Sequence, residues 1–570
     1  MTTPLEPASP SPSASPTGSA AGAAGTELRR LWRTLRTPEG QRWLAWALLA
    51  LLVLMDSILV CQHSVARYQT YHADAFDLGN MNQAVWNTLH GNPFRFTNRG
   101  LDWFGPPTRL GIHVEPILLL LAPFYLIHSG PETLIVIQNV AMALGAIPLF
   151  MLSLRRLPTL PLLGVAFAAS YLLAPEFLGA ALWDFHSVAL ATPLLILAIW
   201  ALDAGRYRTF AVAAILAALT KGDVALSLAL LGLLIIVWRR RPGVGLIVTL
   251  LSVAYAALCF LVILPHFNGG ISGGNNFWYR YAWLGGSAGA ALKNILANPL
   301  LPFSILDANR FGYLAMLLRT GGGLGVFMPA LWLCALPEVA VNVLSAHVEQ
   351  YSGFFQYNAV ILAYVMPAAV YGVAALWSAR QRVEQGEPSP RPARPVETTL
   401  RVRIVALGRL LVWGWNWLLE HIPVPSRWIA PLVVIWLLAT GWWNLTTTAG
   451  GMIGSFWHAG DHPIPHQAEV NALLNRVPQS ASVATTDSLN PRLSSRYTIY
   501  LMPDPQSYLA DYVAVDIPNA ISVSQADDRQ MLGVMLQSGR YQLVGQVGDV
   551  VLLRLVGPPV KPVLPDAPGG

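Results

Sequence analysis

Long apolar runs, each near the length of a bilayer crossing, alternate with short polar connections along most of this chain. A hydrocarbon core about 30 Å thick takes roughly 20 apolar residues of helix. By that measure the pattern predicts spans near 43–61, 132–154, 159–174, 187–203, 209–221, 223–238, 243–264, 303–318, 324–345, 356–378 and 428–447. One stretch after the first span reads differently: HADAFDLGNMNQAVWNTLHGNPF, His72 to Phe94. It is too polar to cross, yet Leu78, Met81, Val85 and Leu89 fall on one helical stripe and Asp77, Asn80 and Asn87 on another. This pattern predicts an amphipathic helix at the interface, its polar side turned towards a further part of the molecule. Asp74, just before it, suits an N-cap.

Composition narrows the class. Of the 570 residues 54% are hydrophobic and 12% charged, against about 25% charged in a soluble domain. The net charge of +6 is modest, and its arginines report orientation rather than nucleic-acid binding. Arg29, Arg30, Arg33 and Arg36 precede the first span, which predicts a cytoplasmic N-terminus. With the spans above, Arg155–Arg156, Arg206/Arg208, Arg239–Arg241 and Arg380/Arg382 all fall on that same side. This holds only if residues 113–129 (HVEPILLLLAPFYLIHS) do not cross, so they are expected to form a re-entrant or outer-leaflet helix. Residues 401–420, with arginines and tryptophans, are expected to lie along the cytoplasmic interface. Cys61, Cys259 and Cys334 sit in or at the ends of apolar runs and read as small apolar fillers.

The expected organisation is a disordered cytoplasmic tail over 1–42, with no cleaved signal peptide, and a membrane domain over 43–447. That domain has outer loops at 62–112 and 265–302 and a cytoplasmic loop at 379–427, disordered over 379–400. Residues 448–555 follow as an extracytoplasmic α/β domain, and 556–570 as a disordered tail. The domain is read from the β-rich runs SVATTDSL, YTIYLM, DYVAVDI and YQLVGQVGDVVLLRL and the helical DDRQMLGVMLQSG.

Polar residues beside spans are costly and gather here on the outer side. The first loop brings Asp74, Asp77, Asn80, Gln83 and Asn87, and GIHVEP adds His113 and Glu115. PEFLGAALWDFHS brings Glu176, Asp184 and His186, and SAHVEQYSGFFQYN brings His347, Glu349 and Gln356. The hairpin 209–238 carries Lys221 and Asp223 at its tip; its legs are about 20–24 Å long, which recesses the tip to headgroup depth. A lysine there suits a lipid phosphate. A carboxylate above it suits a general base acting on an acceptor hydroxyl. Each has a plainer alternative: Asp77 as a solvated helix residue, Lys221–Asp223 as a tip ion pair, His113 and His186 as interfacial packing. Glu338 falls within a span, as packing or cavity wall. No motif requires a cofactor, and a divalent metal is left open.

The segments FDLGNMNQAVWNTLHGNPF, GIHVEPILLLLAPFYLI, DFHSVALATPLLILA, LTKGDVALSLALLGL, ALPEVAVNVLSA and YSGFFQYNAVILAYVMPAAVYG resemble the bacterial membrane proteins of the domain-of-unknown-function 2079 family, over about residues 45–555. More distantly, the chain resembles the GT-C glycosyltransferases, protein O-mannosyltransferases and aminoarabinose transferases among them. The correspondence runs through Asp77 in the first loop, His113–Pro116, a second helix ending in Arg155–Arg156, and Thr220–Lys221–Gly222. That resemblance implies a polyprenyl-phosphate sugar donor. The family's adjacent acidic pair is here Asp74 and Asp77, three apart, which leaves the base and any metal open.

The sequence therefore leads to a polytopic α-helical, GT-C-like membrane protein of about eleven spans in a bacterial plasma membrane. The expected activity is sugar transfer from a polyprenyl-phosphate donor to an envelope glycan, lipid or protein, with Asp77 or Asp74 as catalyst. Asn80, Gln83, His113, Glu115, Asp184, His186, Lys221, Asp223 and Gln356 are the expected substrate-binding set. The alternatives are a transporter or flippase for a lipid-linked envelope molecule, against which the absence of repeats counts, and a non-catalytic envelope assembly protein.

Overall fold

A computed structural model describes residues 37–98, 107–238, 241–268, 277–390, 400–449, 451–516 and 525–557. The Pro/Ser/Ala-rich start, Arg29, Arg30, Arg33, Arg36, Arg239, Arg240 and the tail from 558 lie outside the described residues.

Among the described residues, five helices are long and apolar enough to cross a membrane: Pro38–Gln69, Pro131–Arg156, Pro242–Phe267, Gln356–Glu384 and Ser426–Thr447. A sixth arises if Pro161–Leu172 and Pro175–Leu182, bent by 50°, count as one. Ser187–Asp203, Tyr207–Ala218, Val224–Trp238 and Pro329–Leu344 are apolar but shorter. The first helix starts with the Thr37 hydroxyl accepting the Gly40 N–H (3.0 Å) and proline at N1. It runs to Gln69, eight residues past the expected end, so the loop that follows begins later.

Helix Gln356–Glu384 is buried along nearly its whole length and forms the centre of the bundle, whereas Pro242–Phe267 turns most of its surface outward. Pro337, Pro367 and Pro431 lie inside helices, as membrane helices allow when neighbours take up the freed carbonyls. Close approach at the bundle's polar end needs Gly179, where an added Cβ would come within 2.4 Å of the Phe354 carbonyl oxygen.

Three expectations need correction. Residues 303–318 do not form one helix: a 3-10 turn, Leu301–Ile305, is followed by Ala308–Arg319, which Asp307 starts afresh by accepting the Arg310 N–H at 2.9 Å. The loop expected from 379 begins only after Glu384, because the central helix continues that far. Finally, 113–129 holds only a helical turn, Leu118–Leu121, and a 3-10 turn, Ala122–Leu126, too short to cross. The Ile117 N–H donates to the Leu219 carbonyl (2.9 Å), fixing this segment to the hairpin tip.

The C-terminal part is a five-stranded sheet of β1 (Val483–Thr485), β2 (Ile499–Leu501), β3 (Tyr512–Asp516), β4 (Tyr541–Val547) and β5 (Val550–Leu555), in the order β2-β1-β3-β5-β4. β1 pairs in parallel with β2 and β3, with Val483 opposite Ile499 and Tyr512; β5 is antiparallel to β3 and β4. Alternation sends Val483 and Ala514 to one face, with Val470 and Leu473 of helix Gln467–Leu474. Ala484, Val513 and Val515 face the other way, with Met531 and Met535 of helix Gln525–Gln537.

The amphipathic stretch begins with a π-helical turn, Ala75–Gly79, and continues as an α-helix, Asn80–Leu89. Leu78, Met81 and Val85 of its apolar stripe are buried, and the side chains that meet the C-terminal domain are Asn82 and Gln83, outside the expected polar stripe of Asp77, Asn80 and Asn87. Asn82 Nδ2 donates to the Ser494 and Ser495 hydroxyls (2.7 and 3.0 Å), and Gln83 Nε2 to the carbonyls of Arg496 and Tyr497 (3.3 and 3.2 Å). Thr97 Oγ1 donates to the Ile499 carbonyl and accepts the Ile499 N–H, at 2.7 and 2.8 Å. Residues some 400 positions apart thus form one surface.

Candidate functional site

A cavity of about 450 Å³ opens where the π-helical turn, the hairpin tip, the loop after Phe277 and the start of the central helix meet. Of the expected site residues, Asp77, Asn80, His113, Glu115, His186, Lys221, Asp223 and Gln356 line it. Asp74, Gln83 and Asp184 do not. Asp74 caps the π turn, accepting the Phe76 N–H at 2.6 Å; burial and the nearby Asp487, Asp77 and Asp184 charges push its carboxyl well up. Gln83 is spent on the C-terminal domain, and Asp184 is ion-paired with Arg67.

Asp77 is held by two partners: Trp183 Nε1 donates to Oδ2 at 2.9 Å, and His186 Nε2 stands 3.1 Å from Oδ1. His186 Nδ1 lies 3.1 Å from the Asp184 carbonyl, an acceptor only, so Nδ1 carries a proton. Nε2 facing a carboxylate oxygen requires a second proton, which makes the ring an imidazolium. The Gln356 side-chain amide stands 3.0 Å from the same ring nitrogen, and a protonated Nε2 requires that the amide present its oxygen rather than its NH₂ there. Burial alone would raise Asp77, but the His186 charge and the His186 and Trp183 hydrogen bonds outweigh it and hold the carboxyl at about 2. For His186, burial is outweighed by Asp77, and the imidazole is raised.

These opposite shifts give a pH signature. The depressed Asp77 contributes stability above its unfolded value of about 3.9, lost as pH falls through about 2. The raised His186 contributes below about 6.5, lost as pH rises through its folded value. Both contributions are present between about pH 4 and 6.5. His186→Gln is therefore expected to lower the melting temperature more at pH 6 than at pH 9, and an equal loss at both would count against the ion pair.

The cavity's cations differ in how far they are neutralised. Arg109 donates to Glu115 Oε2 (2.7 Å), whose Oε1 is 2.7 Å from the Ser187 hydroxyl. Lys221 Nζ is 2.6 Å from Asp223 Oδ2; burial works against the ammonium, but Asp223 and then Glu338 push its pKa up. His113, stacked on Phe277 at 5.1 Å, is driven well down by burial and then by the Lys221 and Arg109 charges, and stays neutral. Arg280, also in the wall, makes no ion pair among the described residues. Its guanidinium donates to Gln350 Oε1 and the Tyr279 hydroxyl, each at 3.3 Å, and lies 4.6 Å over the Phe277 ring. Tyr357 is within electrostatic reach of both Arg280 and Asp77.

Two wall oxygens, Asn80 Oδ1 and Asp223 Oδ1, are buried with no hydrogen-bond donor. Cys259, Phe260 and Leu264 of helix Pro242–Phe267, together with Val341, make the apolar wall. The cavity therefore offers a fixed carboxylate, a guanidinium with no ion-pair partner among the described residues, and an apolar flank. Among the described residues no three His, Cys, Asp or Glu side chains are grouped to hold a metal ion.

The family model for the predicted membrane proteins called DUF2079 matches residues 67–392, which include every residue of this wall. The chain belongs to the DUF2079 family. No curated protein matches the DUF2079 chain. Among solved structures it is similar to ArnT from Cupriavidus metallidurans in the apo state, with TM-score 0.46 and 13% identity over 88% of this chain and 97% of that one. It is similar, too, to ArnT bound to undecaprenyl phosphate, with TM-score 0.47, 13% identity and the same coverages. The apo oligosaccharyltransferase of Archaeoglobus fulgidus gives TM-score 0.31 and 11% identity over 86% and 73%.

Sequence reasoning missed Arg280 and Arg109. Arg109 stands six residues before Glu115, a local signal that was legible; Arg280 lies in a run of aromatics, WYRYAW, that reads equally well as an interfacial belt.

Proposed function

We propose that this protein is a membrane glycosyltransferase that moves a sugar from a polyprenyl-phosphate donor to an envelope acceptor, on the extracytoplasmic side of a bacterial plasma membrane. In this reading the shorter apolar helices cross with the longer ones, and the cavity and C-terminal domain share the outer side. The observation that carries it is the pairing, in one cavity, of the fixed Asp77 carboxylate with Arg280, a guanidinium with no ion-pair partner among the described residues. The donor class comes from the sequence resemblance, and the apolar wall accommodates the start of a lipid tail.

The chemistry follows from the charges. As the anomeric C–O bond to phosphate breaks, the electron pair stays on the phosphate oxygen, where Arg280 can take up the charge through directed N–H donors. The acceptor oxygen bonds to the anomeric carbon and becomes a strongly acidic oxonium. Asp77, a weak base because its carboxyl is held at about 2, is basic enough to take that proton late. Before then it orients the acceptor hydroxyl.

The test is lipid mass spectrometry of native-host membranes overproducing wild type or Asp77→Asn at equal protein level. Depletion of one polyprenyl-phosphate sugar by wild type alone supports the reading and identifies the donor. No change in any such lipid, with an envelope defect persisting in a deletion strain, would remove it.

A further inference from the structure

Four consecutive backbone N–H groups open the π-helical turn, and a helix start leaves such donors without internal partners. Here every one points at a carboxylate. The Asp74 N–H donates to Asp184 Oδ2 (2.6 Å) and the Ala75 N–H to Asp487 Oδ1 (2.8 Å). Those of Phe76 and Asp77 reach Asp74 Oδ1, at 2.6 and 3.3 Å. Arg67 fixes Asp184 in turn. Asp487 is the one of these carboxylates that comes from the C-terminal domain. It is buried, two residues past β1, and leads into the helical turn Asn490–Leu493. That turn presses on the π turn so closely that a Cβ on Gly79 would come within 2.4 Å of Asn490 Oδ1.

A π turn holds one residue more than an α turn. If this one relaxed to α, residues on one side of it would rotate by about 100° relative to the other. Asp77 sits inside the turn, so its carboxylate would leave the His186 and Trp183 contacts that aim it into the cavity. We propose that Asp487 is a positioning residue for Asp77: the C-terminal domain completes the transfer site by pinning the first N–H of the π turn. The proposal rests on the reading of Asp77 as the acceptor-facing carboxylate.

The experiment uses the full chain in lipid nanodiscs, comparing wild type, Asp487→Ala and Asp487→Asn. One arm measures amide hydrogen exchange in a peptide spanning residues 74–83. The other measures kcat and KM with whichever member of a panel of synthetic polyprenyl-phosphate monosaccharides the wild type consumes. Asp487→Ala is expected to speed exchange at the turn and to lower kcat at least about tenfold, with KM within about twofold, as expected for a misplaced reacting group. Asp487→Asn keeps an acceptor oxygen and is expected to retain most of both. Unchanged exchange in Asp487→Ala overturns the proposal, as does equal damage by both substitutions. If Asp487→Ala does not reach the membrane, Asp487→Ser, whose hydroxyl is too short to keep the 2.8 Å contact with the Ala75 N–H, is expected to show the same exchange and kcat changes; wild-type behaviour there overturns it. If the wild type consumes no panel member, the exchange arm still decides the positioning, and the transferase reading is what falls.

Discussion

Asp77→Asn is expected to lower turnover by about 10²- to 10⁴-fold, the range for losing a positioned proton acceptor, while KM for the lipid donor changes little. The substitution is nearly isosteric, and the new amide oxygen can still accept from Trp183 Nε1, so the π turn keeps its seat. What disappears is the negative charge that holds His186 as an imidazolium and that takes the acceptor proton in the proposed reaction. Asp77→Glu restores the charge on a longer arm and is expected to recover part of the rate. Single-turnover assays separate the step affected. A variant with normal kcat and raised KM would make Asp77 a binding residue only, and flux through proteoliposomes that survives Asp77→Asn would favour the transport alternative.

Arg280→Ala is expected to weaken donor binding about 10- to 100-fold, because a charge-assisted hydrogen bond to a phosphate contributes about 1.5–3 kcal/mol. Arg109 and Lys221 already have carboxylate partners, so neither can replace it without leaving a buried acid unpaired. Arg280→Lys is expected to recover little, since an ammonium cannot make the directed contacts to Gln350 and Tyr279 and still present two donors to a phosphate. Titration with a short-chain polyprenyl phosphate, followed by intrinsic tryptophan fluorescence, measures the effect. Equal affinity of wild type and Arg280→Ala would move the phosphate site elsewhere in the cavity.

These two residues mark how far the sequence could be read. Asp77 was legible because a helix-period stripe beside a lipid boundary is costly unless its polar side is used. The tip of the hairpin was legible from the polar Lys221–Asp223 between two apolar runs, which form helices Tyr207–Ala218 and Val224–Trp238. Arg280 was not, because its importance lies in what is missing around it, and neutralisation by neighbours is a tertiary fact. Lys221 drew attention by its place at the tip, yet Asp223 stands 2.6 Å away. The break in 303–318 had local signals in Pro302 and Asp307, outweighed in a hydropathy window by the leucines and phenylalanines around them. The seat of the amphipathic helix had no local signal, since Asn82 and Gln83 meet groups some 400 residues onward.

That separation has a consequence for synthesis. Asn82 leaves the ribosome 412 residues before Ser494, its hydrogen-bond partner. At about 5–20 residues per second, the turn carrying Asp77 waits roughly 20–80 s before the domain that pins it is made. During that interval the bundle is inserting with its polar rim uncovered. A ribosome stalled before Val483 has made every residue of the cavity wall and none of the sheet, so in the proposed reading it is the synthesis of the sheet domain that arms the site.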